Sequence, residues 1–265
     1  MVSIEKRIIR RFKLIYNYIK YGKNYSEKKF LKLQEKKFKS FNLNRKNGEQ
    51  LFSKLTNKYP FLVSPMNSEH SIFFCSLGLS KINFKNILEI GTYDATNSFL
   101  LSEIFPNSIV DTYDLKHSNK TFVSTYHRKN KSRLRDFVQN RNSLLSKKSN
   151  INFYELNSLY LSFKTNKKYD LIWIDGSHEN PYVSIDLANS LRLISKEGFV
   201  MCDDIIFNAS KYNQYYSKDS LIALNSFKEA GILDYKLIFK RISRNENALP
   251  HLRKYVAIIK KIKLN

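Results

Sequence analysis

From Ile87 onward the chain alternates short apolar runs with stretches of helical periodicity, and that alternation narrows the folds open to it. The runs are NILEI at 86–90, SIVDTYD at 108–114, INFYE at 151–155, YDLIWID at 169–175 and GFVMCD at 198–203. Between them apolar residues recur at helical spacing over 97–104, 130–145 and 183–194. Strands that alternate with helices build crossover units around a mostly parallel sheet, since a parallel neighbour is reached only by a long return path. The tail departs from this rule. YKLIFKRI (235–242) and KYVAIIKKI (254–262) have no helix between them, only a polar link with Asn245, Asn247 and Pro250, so they are expected to pair antiparallel at the sheet edge. The expected fold is α/β, a seven-stranded, mostly parallel sheet ending in an antiparallel hairpin.

The first 60 residues read as a basic helical N-terminal extension (1–60) ahead of the α/β domain (61–265). Ile4, Ile8, Ile9, Phe12, Ile15, Tyr16 and Ile19 recur at helical spacing with Lys and Arg between them. A second helical stretch covers 26–41, followed by a turn-rich segment at 42–48 and a short helix ending near Tyr59. Charge is uneven. Residues 1–50 hold 15 Lys and Arg against 4 acids, and 115–150 hold 10 against 1, which accounts for most of the formal +23. Such fields attract nucleic acid, anionic lipid or acidic polymers, although a Lys-, Asn- and Ile-rich composition gives the same surplus with no partner. The N-terminal helix is expected to dock on its own domain or on a second subunit as a homodimer contact, or to lie on an anionic membrane surface. No apolar run reaches the roughly 20 residues needed to span a bilayer, and no signal-peptide pattern is present, so the expected location is cytoplasmic, or peripheral at a membrane. Cys75 and Cys202 lie in apolar runs, as buried free thiols do.

In an open parallel sheet, ligands bind beyond the carboxyl ends of the strands, near the point where strand order reverses. The residues at those ends are acidic, against the charge of the rest of the chain. Glu89 and Gly91 end the first run in EIGTYDATN (89–97), where the backbone must turn sharply; Tyr93 and Ala95 stand where a dinucleotide fingerprint would have further glycines, which argues against a pyrophosphate cradle. Asp114 ends the second run, 25 residues beyond Glu89, at a distance suited to accepting hydrogen bonds from ribose hydroxyls. DGSHENPY (175–182) follows a buried apolar run and delivers Asp175 and His178 together, with His178 a candidate general base. Asp203 and Asp204 end the fifth run. Both can face one pocket only where the strand stops, and with Asp175 they would form a carboxylate cluster that a hard cation such as Mg²⁺ would neutralise.

Taken together, EIGTYDA (89–95), Asp114, IDGSH (174–178) and EGFVMCDDI (197–205) resemble, in order and spacing, the class I S-adenosylmethionine-dependent O-methyltransferases. The resemblance is to the sugar-modifying, macrocin-type branch related to catechol O-methyltransferase, and it covers about residues 65–262. It implies a Rossmann-like methyltransferase fold and a methyl transfer from S-adenosyl-L-methionine to a hydroxyl of a sugar, glycan or other small acceptor, with Mg²⁺ assistance. By that resemblance Glu89, Gly91, Thr92 and Tyr93 line the methionine side of the cofactor, Asp114 holds the ribose, and Asn157 and Ser158 lie against the adenine. Asp175, Asp203 and Asp204 match the metal-holding positions, with Asp175 also beside the cofactor, and His178 falls where related enzymes carry their base. Ala95 and Asn97 depart from the family's usual glycine and serine. An RNA methyltransferase is the alternative raised by the basic segments, although no RNA-binding module and no strand-end N/D-P-P-Y is present. A non-catalytic domain binding nucleic acid or a membrane surface would have little use for acids along one cleft.

Overall fold

NILEI forms a central strand because its aliphatic residues are wanted on both faces: Ile87, Leu88, Glu89 and Ile90 are all buried. The computed structural model describes residues 25–63, 68–125, 128–208, 217–242 and 253–262, with positions 12, 15, 16, 19 and 20 besides. Among the described residues, α1 (Glu27–Lys39), α2 (Arg45–Lys58) and α3 (Glu69–Gly78) lie ahead of the sheet. Strands and helices then alternate through β1 (Asn86–Ile90), α4 (Thr96–Ile104), β2 (Ile109–Asp114), α5 (Lys120–Ser124), α6 (Lys131–Leu145), β3 (Ile151–Glu155), α7 (Leu161–Lys164), β4 (Tyr169–Ile174), α8 (Tyr182–Leu193) and β5 (Ile194–Ile206). The chain closes with α9 (Asp219–Glu229), β6 (Leu233–Phe239) and β7 (Lys254–Lys261).

The seven strands run in the order β3-β2-β1-β4-β5-β7-β6. Neighbours from β3 to β5 are parallel, while β7 is antiparallel to both β5 and β6. The expected hairpin forms, with its second strand inserted between β5 and the first. Strand order reverses between β1 and β4, which puts the loops after these two strands on either side of the crevice where ligands bind in such sheets.

One core lies on each face of the sheet. Trp173, Leu171, Ile87 and Met201 face α3 and α4, while Ile172, Ile174, Leu88 and Val200 face α8 and α9. Phe38, Leu43 and Leu55, from the stretch expected as an extension, belong to the first of these cores. Both cysteines are buried and free. The expected helix at 4–19 lies mostly outside the described residues; at the described positions Phe12, Ile15, Tyr16 and Ile19 are exposed.

The turn-rich segment expected at 42–48 is shorter than its composition suggests. Asn44 caps α2 by accepting from Asn47 N, so Arg45 is already helical. Arg45 is thereby turned inward, where Nε and Nη2 each lie 2.7 Å from a Glu69 oxygen in a buried bidentate pair. The fully buried Gln34 completes this joint. Its amide donates to Glu69 Oε2 (3.1 Å) and Phe239 O (3.0 Å) and accepts from Phe239 N (2.9 Å), capping the edge of β6 as another strand would. Breaking such a pair leaves a buried charge uncompensated, so Arg45→Met is expected to cost about 3 kcal/mol. The check is thermal denaturation, with Tm falling by about 6–12 °C; an unchanged Tm would contradict the joint's role.

Candidate active site

The crevice at the switch point is built by a close crossing of two backbones. Gly91 N donates to Tyr113 O (2.9 Å) and Asp175 N donates to Ile90 O (2.9 Å), so the chain leaving β1 crosses the chain leaving β4. Gly91 has φ +102°, and a Cβ there would lie 2.3 Å from the carbonyl oxygen of Asp175. Glycine is required here by a protein neighbour, in addition to any ligand. The loop continues through Tyr93 (φ 50°) to Ala95 (φ 65°), which stands left-handed at the head of α4, where glycine would be unstrained.

Glu89 is fully buried beneath this loop. Its carboxylate accepts from Asn97 Nδ2 (2.8 Å), Thr112 Oγ1 (2.6 Å) and Ser98 Oγ, and thus fixes the first turn of α4. Burial pushes its pKa up to about 7, against those three hydrogen bonds. Thr92 is buried too and pairs with Thr112 (2.6 Å between hydroxyls), so its side chain faces β2. Tyr93 is half exposed, its ring 5.2 Å from that of Phe137. Asp114 accepts from Tyr93 N (2.8 Å) and Leu115 N (2.7 Å), tying the end of β2 to the loop. Its pKa is raised by burial despite these bonds. Asn157 caps the short helical turn after β3 by accepting from Leu159 N (3.0 Å), and the Ser158 carbonyl accepts from Asn189 Nδ2 (3.0 Å). Glu89, Gly91, Thr92, Tyr93 and Asp114 therefore form one linked loop system.

On the β4 side, Asp175 and His178 are both half-buried, with His178 Nε2 3.5 Å from Asp175 Oδ1 and Nδ1 buried without a hydrogen-bond partner. Loss of solvent around Asp175, with the neighbouring Asp203 charge, pushes its pKa up to about 6. For His178 burial acts to lower the pKa, but Asp175, Asp204 and Asp203 outweigh it and hold the imidazole above its ordinary 6.5.

Asp203 and Asp204 do reach the same crevice, although β5 does not stop there as expected. It continues to Ile206 through an irregularity between Cys202 and Ile205, with Asp204 in the left-handed region at φ 53°. That extra residue swings consecutive side chains to one side of the strand. The expected cation position is taken by two lysines. Lys240 Nζ donates to Asp203 Oδ2 and to Asp204 Oδ1, and Lys254 Nζ donates to Asp204 Oδ2. Burial acts to raise the Asp204 pKa, but Lys240, His178 and Lys254 hold it well below the carboxylate range; Lys240 is held above the ordinary lysine value by Asp203, Asp204 and Asp175, against burial. Among the described residues no group of three or more His, Cys, Asp and Glu is arranged to hold a metal ion. The expected Mg²⁺ site at Asp175, Asp203 and Asp204 does not fit: three of the four Asp203 and Asp204 oxygens are committed to ammonium groups, and a dication would meet two resident cations.

Both lysines escaped the sequence reading, as did His70 at the start of α3. His70 packs against Trp173 (centroids 4.6 Å apart), and burial takes its pKa down to about 4. Strand direction was the missing signal. Because β7 is antiparallel, its first residue, Lys254, lies opposite Ile206 at the carboxyl end of β5, and Lys240 directly follows the last residue of β6.

Residues 88–205 match the family model described as a methyltransferase domain, a segment that holds every expected strand-end acid and neither lysine. Among solved structures, the fold is similar to that of the O-methyltransferase TomG from Streptomyces achromogenes, involved in tomaymycin synthesis and solved in complex with SAM. That likeness has a TM-score of 0.50 at 14% identity over 86% of this chain and 96% of that one. The SAH-bound Podospora anserina methyltransferase PaMTH1 gives 0.48 at 14% identity, over 82% and 88%. No curated protein matches the chain. The sheet order puts the Gly91–Asp175 crossing at the switch point, where ligands bind in sheets of this kind.

Proposed function

We propose that the protein transfers a methyl group from S-adenosylmethionine to a hydroxyl of a sugar, glycan or other small hydroxylated acceptor. The observation that carries this reading is the Asp175–His178 pair, standing at the strand end beside the Gly91 crossing with one imidazole nitrogen unpartnered. On the opposite side, Asp114 has acceptor lone pairs left for ribose hydroxyls, while Glu89, buried beneath the loop, holds the turn that would line the methionine end of the cofactor. Asn157 and Ser158 are assigned to the adenine edge on the resemblance alone.

When bound, the cofactor supplies a methyl carbon on a sulfonium. Asp175 faces His178 Nε2 and orients the ring, which leaves Nδ1 to take the acceptor's hydroxyl proton. The cofactor's methyl would pass to the acceptor oxygen with the carbon–sulfur pair leaving on sulfur, so the residues here would need only to bind, orient and take the proton, with no covalent enzyme intermediate. The β1 and β4 loops contribute alignment of the two reactants.

Basic residues in 115–150 give the RNA reading little support. Arg128 is buried over Phe122 (3.8 Å to the ring centroid) and Arg141 is buried over Phe153 (4.4 Å), paired with Glu155. The test is incubation of the full chain with methyl-labelled S-adenosylmethionine and a panel of sugars, glycans and short RNAs. Label recovered as an acid-stable methyl ether on a hydroxylated acceptor supports the reading, and label recovered on RNA bases overturns it.

A further inference from the structure

A divalent cation in a methyltransferase crevice would hold the acceptor oxygen and offset the charge it gains as its proton leaves. The crevice described here already contains a fixed cation. Lys240 is only 6% exposed, at the end of β6, and its ammonium bridges Asp203 on β5 to Asp204 at the bulge. Lys254, entering β7, takes the remaining Asp204 oxygen. Lys240 N also donates to Lys254 O (3.0 Å), so the backbone joins the two lysines. Three carboxylates with two ammonium groups approach neutrality, and protonation of His178 would complete it. A dication would need oxygen ligands, and of the Asp203 and Asp204 oxygens only Asp203 Oδ1 lacks a partner.

An ammonium has three donors. Two of those on Lys240 bind Asp203 and Asp204, which leaves the third.

We propose that Lys240 stands in for the divalent cation, with Lys254 holding the neighbouring carboxylate in place: the crevice binds no divalent ion, and Lys240 donates its third N–H to the acceptor oxygen. The second half of this rests on the hydroxyl-methylation reading above. In the step itself the hydroxyl proton passes to His178, the oxygen–carbon bond forms, the carbon–sulfur electron pair goes to sulfur, and the Lys240 ammonium offsets the charge on oxygen without giving up a proton.

The test has two arms that fail separately. In the first, the full chain stripped with EDTA is titrated with Mn²⁺ and the free-ion electron paramagnetic resonance signal is followed. The wild-type protein is expected to leave the free signal unchanged into the millimolar range. The Lys240→Met/Lys254→Met variant, with its carboxylate oxygens released, is expected to deplete it. Saturable Mn²⁺ binding by the wild type that disappears in Asp203→Asn overturns the proposal, and that result needs neither an acceptor nor the folding of the double variant. In the second arm, methyl transfer by the wild type is expected to be unchanged by EDTA. Lys240→Met is expected to lower kcat at least about a hundredfold with S-adenosylhomocysteine affinity retained. A rate abolished by EDTA and restored by Mg²⁺ overturns the proposal. Absence of transfer to any acceptor counts against the hydroxyl reading and leaves the Mn²⁺ result to decide whether the lysines exclude a metal.

Discussion

Replacing His178 by alanine is expected to lower kcat by about two to four orders of magnitude, the usual contribution of a positioned general base, while S-adenosylhomocysteine binding changes little. The two readouts separate because His178 is assigned to the acceptor's proton, whereas Glu89 and Asp114 are assigned to the cofactor. The pH profile gives a second check. A base must be neutral to accept a proton, and Asp175, Asp204 and Asp203 hold the His178 pKa above its ordinary 6.5. The wild-type rate should therefore climb with pH through a value above 6.5 and level off, and the residual rate of the variant should lose that limb. A full wild-type rate below pH 6, or an alanine variant with the same profile, would remove His178 from the mechanism. Asp175→Asn should lower the rate as well, since it removes the charge that orients the ring.

Gly91→Ala is expected to cost about 4 kcal/mol or more, one of the largest single-site losses available in this domain. The added methyl would meet the Asp175 carbonyl at 2.3 Å, and the glycine's φ of +102° is strained for any L side chain. Neither neighbour can give way cheaply, because both belong to the β1–β4 crossing. Gly231 is the control. It also has a positive φ (+71°) but nothing lies within 4 Å of its added Cβ, so alanine there should cost only about 1 kcal/mol of backbone strain. Denaturant titration of the two variants measures the difference. Equal losses would mean that strain, and not the crossing, sets the requirement at Gly91.

Much of the sheet was legible because its central strands are buried on both faces and punctuated by turns. NILEI and INFYE matched β1 and β3 residue for residue, and the final pair of runs found each other across the polar link. The helix α3 was missed for a physical reason. EHSIFFCSLG is buried almost all round, between α2 and the sheet, so it has no polar face and no amphipathic period to read. In α9, Leu221–Leu224 form an unbroken apolar run that hides its periodicity in the same way. The acids at the strand ends were visible one strand at a time, since each parallel strand ends on the same side of the sheet. Their partners were not. Lys240 and Lys254 reach the crevice only because β7 turns back between β5 and β6, and the bulge at Asp203–Asp204 that aims both carboxylates at Lys240 has no signature in the residues CDDI.

The crevice also changes how the basic composition is read. Several cations are spent inside the molecule: Arg45 on Glu69, Arg141 on Glu155, Lys240 and Lys254 on the strand-end acids. Their charge neutralises buried carboxylates and is withdrawn from any surface field. No helix among the described residues is long and apolar enough to cross a membrane.

The claim on which the account depends is that the loops after β1, β2 and β4 form an adenosyl site whose ribose anchor is Asp114. Isothermal titration of the EDTA-treated full chain with S-adenosylhomocysteine measures this directly. The account predicts one site per chain, unchanged when Mg²⁺ is added back, with affinity falling about tenfold or more in Asp114→Ala as a charge-assisted hydrogen bond is lost. Binding that requires Mg²⁺, or equal affinity in the wild type and Asp114→Ala, would contradict it.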